Sequence, residues 1–359
     1  MADFTLGYRK SLDGLRGIAV VLVVLSHIPS LPFGGGFFGV DLFFVLSGFL
    51  ITSLLFEEWR ANGDISLKAF YARRALRLLP ALVEVLGVAA IVSGRWESAE
   101  AAARMRESAL MTLCYCANWF VAYRSYPRGE LSHTWSLSVE EQFYVVWPLL
   151  LLVLLRSGWS RRRMAAVLVA GMLGSALLRA VLWLTTKSWE RVYFGSDTHA
   201  DGLFAGALVA LLVHAGAQPS TEAWRRILNW VAHLMMGYLG FFFVSGWAAD
   251  PYLMLGGYLG LNLGAAAVVL CLVTSPWAPL RLLCEAPPLV WLGKISYGVY
   301  LWHSVVFWTL GVTGLRIGGP AWALPLGALL AVSAASYYGF ERPLLKLKQR
   351  FERVRASAP

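Results

Sequence analysis

The sequence predicts an all-α integral membrane protein of about ten transmembrane helices, with both termini cytoplasmic and one re-entrant or interfacial helix near 108–123. Three observations predict it. Of 359 residues, 58% are hydrophobic and only 14% charged, where a soluble chain carries about 25% charged residues. The mean hydropathy of +0.60 belongs to the whole length and not to one anchor. The cations are also unevenly shared between loops. A soluble enzyme, a disordered scaffold and a DNA-binding domain are excluded on these grounds. The net charge of +10, from 31 Lys+Arg against 21 Asp+Glu, reads as the cation excess of cytoplasmic loops and not as a nucleic-acid footprint.

Each membrane helix needs about 20 mostly apolar residues. Segments 15–31, 36–56, 76–93, 137–155, 164–185, 198–215, 227–247, 254–273, 289–312 and 321–340 meet that need. The short polar lead before the first carries no small-residue cleavage site, so an uncleaved first span is expected. An eleventh run, 108–123, is shorter and contains Asn118. If it does not cross, one side collects Arg9, Lys10, Arg73, Arg74, Arg77, Arg161, Arg162, Arg163 and the basic tail. The other side keeps Arg95, Arg104, Arg106, Arg124, Arg128, Lys187, Arg191 and Arg316. Letting it cross would send the arginine triplet outside, against the positive-inside rule. The polar stretches 57–75 and 94–107 are expected to be loops. Residues 1–343 are expected to form one membrane domain, and 344–359 a short basic cytoplasmic tail. Cys114, Cys116, Cys271 and Cys284 have neither zinc-site nor disulfide-framework spacing.

Titratable side chains at membrane depth are costly and mark candidate function. Arg16 and His27 share the first span. Their eleven-residue spacing leaves about 20° between them and about 16 Å along the axis, which suits a path leading inward from the cytoplasmic boundary. The run 133–144, HTWSLSVEEQFY, opens the fourth span. Ser136 or Ser138 could cap that helix with Glu140 or Glu141 answering the dipole, yet His133, a second carboxylate and Tyr144 exceed what a cap needs. Glu140 and Tyr144 share a face. Asp41 in FFGVDLFFVLSGF is left over by a reading of that run as glycine packing. Asp197, His199 and Asp201 open the sixth span and read as an N-cap with a polar first turn in preference to a metal cluster. His303 falls near mid-depth in the ninth span. Arg74 and Arg77, with Arg73 beside them, stand on one helical face before the third span, either as membrane anchors or as a guanidinium clamp for phosphate.

Taken together, LDGLRGIAVVLVVLSH, FGVDLFFVLSGFLIT, YARRALRLLPA, HTWSLSVEEQFYVVWP, LGKISYGVYLWH and FERP resemble the acyltransferase family 3 membrane proteins, in order from Leu12 to Pro343. The resemblance implies a multi-pass protein of the bacterial cytoplasmic membrane that moves an acyl group, acetyl foremost, from cytoplasmic acyl-CoA to a hydroxyl of a sugar-containing acceptor. It places the family's Arg-x10-His pair on Arg16 and His27 and its Arg-x-x-Arg on Arg74 and Arg77, and it resembles the stand-alone form of the family. On this reading Arg73, Arg74 and Arg77 hold the CoA phosphates. His27 is the general base, or alternatively the site of a covalent acyl intermediate. Arg16, Glu140 and Glu141 complete the catalytic group, with a glutamate orienting His27 or meeting the acceptor. Asp41, His133, Tyr144 and His303 are expected to face the acceptor. No metal and no nucleic acid are expected. The competing expectation is an exporter that uses intramembrane His and Arg as a relay.

Overall fold

The computed structural model describes residues 4–28, 33–123, 130–216, 219, 221–274, 278–312 and 322–351. Among the described residues the chain is helical throughout, without strands. A helix stands at each of the ten expected spans: α1 (Lys10–Ser26), α2 (Phe38–Asn62), α3 (Leu67–Trp96), α4 (Trp135–Arg156), α5 (Arg161–Thr186), α6 (Asp201–His214), α7 (Glu222–Ser245), α8 (Tyr258–Thr274), α9 (Pro287–Thr309) and α10 (Ala323–Ser336). By length and composition, seven helices among the described residues are able to cross a membrane, while Asp201–His214 is apolar but shorter. Of the cations that set the expected orientation, Arg124, Arg128, Arg316, Arg353 and Arg355 lie outside the described residues, as does the tail from residue 352.

The polar stretches differ from expectation. Residues 57–75 are mostly helical, because α2 runs on to Asn62 and Ser66 caps α3 by accepting from the Ala69 amide. Glycine ends α2: Gly63 takes φ 65 and its amide closes on the Trp59 carbonyl, the left-handed stop that glycine adopts without steric cost. Ser98 likewise caps a helix, Ala99–Leu113, where a loop was expected. The run 108–123 is therefore not one helix. It is the end of Ala99–Leu113 and a second short helix, Ala117–Tyr123, broken at Tyr115 with φ 55. Each is too short to cross.

Close helix crossings build the bundle, and small residues make them. A bilayer offers little hydrophobic drive between helices, so backbones must approach for dispersion to act. α1 packs most extensively on α9, and α2 on α6. A Cβ at Gly17 would lie 2.2 Å from the Leu289 carbonyl oxygen, and one at Gly293 only 1.8 Å from that of Asp13. The α2–α6 crossing is reciprocal: Gly48 faces the Leu203 carbonyl and Gly206 that of Val45, each at 2.0 Å. These two pairs share a centre, since α1 also packs on α2. Arg16, His27 and the α2 face are thereby held by backbone contact.

Candidate active site

Two cavities lie end to end along this central group. The larger, about 950 Å³, runs past Arg16, Ser47, Arg74, Arg77, Glu140 and Tyr144 to a mouth framed by residues 4–8, Arg60 and Lys348. The smaller, about 410 Å³, is lined by His27, His133 and the aromatic rings of Trp135, Trp189, Tyr193 and Trp247. Along α1 the first takes Arg16 and the second Val23, Ser26 and His27. Along α4 the order is the same, with Glu140 and Tyr144 on one side and Trp135 on the other. Val40 and Tyr300 line both.

Arg16 and His27 therefore stand on one helix but in different chambers. Arg16 donates from Nε to Ser296 Oγ at 3.3 Å. His27 caps the end of α1, and its Nδ1 sits 2.8 Å from the Val23 carbonyl. The path expected from their spacing passes through two adjoining cavities that share Val40 and Tyr300 as lining residues.

The arginines of α3 are not equivalent. Arg73 pairs with Glu58 at 2.9 Å and donates to the Phe351 carbonyl at 2.6 Å. Arg74 pairs with Glu141 at 3.1 Å, and its guanidinium lies 3.9 Å from the Tyr144 ring centre. Arg77 and Arg16 face the same cavity, and among the described residues neither forms an ion pair. At the mouth, burial and Asp13 push the Tyr8 phenol up to about 12.

Glu140 and Glu141 need a different account from the expected one. α4 begins at Trp135 without a side-chain cap and without an acidic residue in its first turn, so the capping explanation does not hold. Glu140 accepts from Ser47 Oγ at 2.8 Å and lines the large cavity with Tyr144 one turn on. Neither carboxylate orients His27, whose ring is fixed by the α1 backbone.

His133 and His303, both expected to face the acceptor, come together with His27. The His303 ring centre is 4.7 Å from those of both His27 and His133. In each ring Nδ1 faces a carbonyl: Val23 at 2.8 Å, Glu130 at 3.1 Å and Tyr300 at 2.5 Å. A carbonyl only accepts, so Nδ1 carries the hydrogen and Nε2 of the neutral ring is left as a base. The Nε2 atoms of His133 and His303 are buried without a hydrogen-bond partner.

Asp41 is not brought to this group. It is buried, lines neither cavity, and meets His199 Nε2 through Oδ1 at 3.2 Å. The expected cap at Asp197 is also absent, since Ser196–His199 has no side-chain cap. Asp197, His199 and Asp201 instead turn to three partners. Asp197 pairs with Arg191, His199 with Asp41, and Asp201 takes both guanidinium nitrogens of Arg179 at 2.7 and 3.0 Å.

The sequence reading missed Arg179, although a lone arginine in the apolar run 164–185 was the signal. It also missed Tyr300, quoted in KISYGVYLWH only for the histidine after it. Its hydroxyl donates to the His133 carbonyl and contacts Ser136 Oγ, both at 2.6 Å.

A family model described as an acyltransferase domain (Acyl_transf_3) matches residues 9–339. The peptidoglycan O-acetyltransferase OatA of Listeria monocytogenes is 31% identical over 353 residues, covering 94% of this chain and 56% of that protein. The O-acetyltransferase OatA of Staphylococcus aureus is 30% identical over 355 residues, covering 94% and 57%. YrhL of Bacillus subtilis is 34% identical over 356 residues, covering 94% and 55%. The chain thus spans little more than half the length of these relatives. No solved structure matches it.

Proposed function

The chain belongs to the Acyl_transf_3 acyltransferase family, and from that premise we propose that it is a membrane O-acetyltransferase with one substrate in each cavity. The donor is acetyl-CoA, entering the large cavity. The acceptor is a hydroxyl of a cell-wall glycan in the small one, in keeping with the relative from Listeria that is named for peptidoglycan. The observation that carries this reading is the pair of cavities with unlike linings that meet only at Val40 and Tyr300. Five guanidiniums line the large cavity and suit the phosphates of a CoA thioester, and an aromatic chamber suits a sugar.

Arg77 and Arg16, without carboxylate partners among the described residues, are the cations that meet the donor, while Arg73 and Arg74 hold the frame around them. His27 Nε2 takes the proton from the acceptor hydroxyl as that oxygen attacks the thioester carbon. Such general-base help is worth about 10²–10⁴-fold. The large cavity opens beside Arg60 and Lys348, on the cation-rich side, which the positive-inside rule assigns to the cytoplasm. In this orientation the long apolar helices cross the bacterial cytoplasmic membrane, with Ala99–Leu113 and Ala117–Tyr123 at the other surface. An exporter reading finds no support among the relatives.

The test uses the purified protein in detergent with [14C]acetyl-CoA and an oligomer of N-acetylglucosamine. Label recovered on the oligomer as an alkali-labile ester is the expected result. Label that never leaves CoA, or appears only as acetate, overturns the reading.

A further inference from the structure

The proton has a longer way to travel than the acyl group. His27 takes it in the small cavity and does not line the large one, where the donor's sulfur is left as a thiolate. Of the two side chains common to both cavities, Val40 has no exchangeable proton and Tyr300 has one. The Tyr300 hydroxyl is held at the wall by Ser136, itself a lining residue of the large cavity, and by the His133 carbonyl.

Behind Tyr300 stands His303, fully buried and lining neither cavity. Its ring centre is 5.6 Å from that of Tyr300 and 4.7 Å from that of His27. A buried imidazole nitrogen without a partner is costly, and packing alone does not call for one. Its ring contacts those of both the base and the tyrosine.

We propose that Tyr300 is the acid of the transfer and that His303 reloads it. The inference rests on the function proposed above. As the acceptor oxygen bonds to the acyl carbon, its proton passes to His27 Nε2. The carbon–sulfur bond then breaks with its electron pair on sulfur, and Tyr300 gives that sulfur its phenolic proton. The tyrosinate recovers a proton from the His27 imidazolium by way of His303 Nε2, which takes it and gives it up at the same atom while Nδ1 stays on the Tyr300 carbonyl. In sum one hydroxyl proton becomes one thiol proton, and nothing else is consumed.

The experiment compares two donors in detergent with the N-acetylglucosamine oligomer: acetyl-CoA, and S-(4-nitrophenyl) thioacetate, whose thiolate leaves without needing a proton. Tyr300→Phe should lower kcat about 100-fold or more with acetyl-CoA and stay within about 3-fold of the parent with the aryl thioester. His303→Gln should show the same pattern. An equal loss with both donors, or no loss with acetyl-CoA, overturns the proposal. Should Tyr300→Phe fail to fold, the parent protein carries the test. A solvent deuterium isotope effect larger with acetyl-CoA than with the aryl thioester supports the assignment, and equal effects overturn it. His27→Ala, inactive with both donors, keeps the two proposals separable: activity in that variant removes the base while leaving the Tyr300 comparison readable.

Discussion

His27, just beyond the end of the first helix, meets His303 of the ninth edge to face at 4.7 Å, and the glycine crossing of those two helices holds the pair together. Replacing His27 with Ala should lower the transfer rate by about 10²–10⁴-fold and leave the yield of folded protein unchanged. Initial rates with [14C]acetyl-CoA check it. A parent-like rate would remove His27 from the chemistry.

Arg77 and Arg73 should behave differently. A charge-assisted hydrogen bond is worth about 1.5–3 kcal/mol, so Arg77→Ala should raise the KM for acetyl-CoA by about 10- to 100-fold. Arg73 already has Glu58 and the Phe351 carbonyl as partners, and Arg73→Ala should change that KM less. Steady-state kinetics at saturating acceptor separates the two, and the reverse order would reassign the donor contact.

Trp247 lines only the small cavity. Loss of its ring should raise the acceptor KM by about 2- to 10-fold, the scale of one aromatic contact, and leave the KM for acetyl-CoA unchanged. If the donor KM moved instead, the assignment of the two cavities would be reversed.

The buried pair Arg179–Asp201 should matter for stability more than for turnover. Asp201→Asn leaves a guanidinium uncompensated, and breaking such a pair costs about 3–5 kcal/mol. Thermal melting in detergent should show the drop. A double replacement by Met and Leu should recover part of it, because no buried charge then remains.

Gly293→Val should spread α1 from α9, since even a Cβ there meets the Asp13 carbonyl at 1.8 Å. Melting temperature and activity should fall together. Gly87→Ala is the control: that position has nothing within 4 Å, and alanine favours a helix over glycine by about 1 kcal/mol.

The helices were legible because span length and apolarity are local properties of the chain. Each of the ten segments holds a helix, with ends displaced where Gly63 and Ser66 set caps that hydropathy does not weigh. Local spacing also put Glu140 and Tyr144 on one face. It could not show that Glu141 turns to Arg74, or that His133 and His303 flank one another, because those meetings depend on which helices cross. The same limit explains Asp41, whose partner His199 is fixed by the α2–α6 crossing. Arg179 was a different kind of miss, since its cost inside an apolar run is visible from sequence alone.

Val40 and Tyr300 stand where the two chambers adjoin. In the proposed orientation the two chambers face opposite sides of an energised membrane, so those two side chains stand between the donor and acceptor sides of the transmembrane voltage. The protein must then act as an electrical insulator while it passes an acyl group. Trimming Val40 to glycine would be expected to make living cells leak ions before it changed any rate measured in detergent.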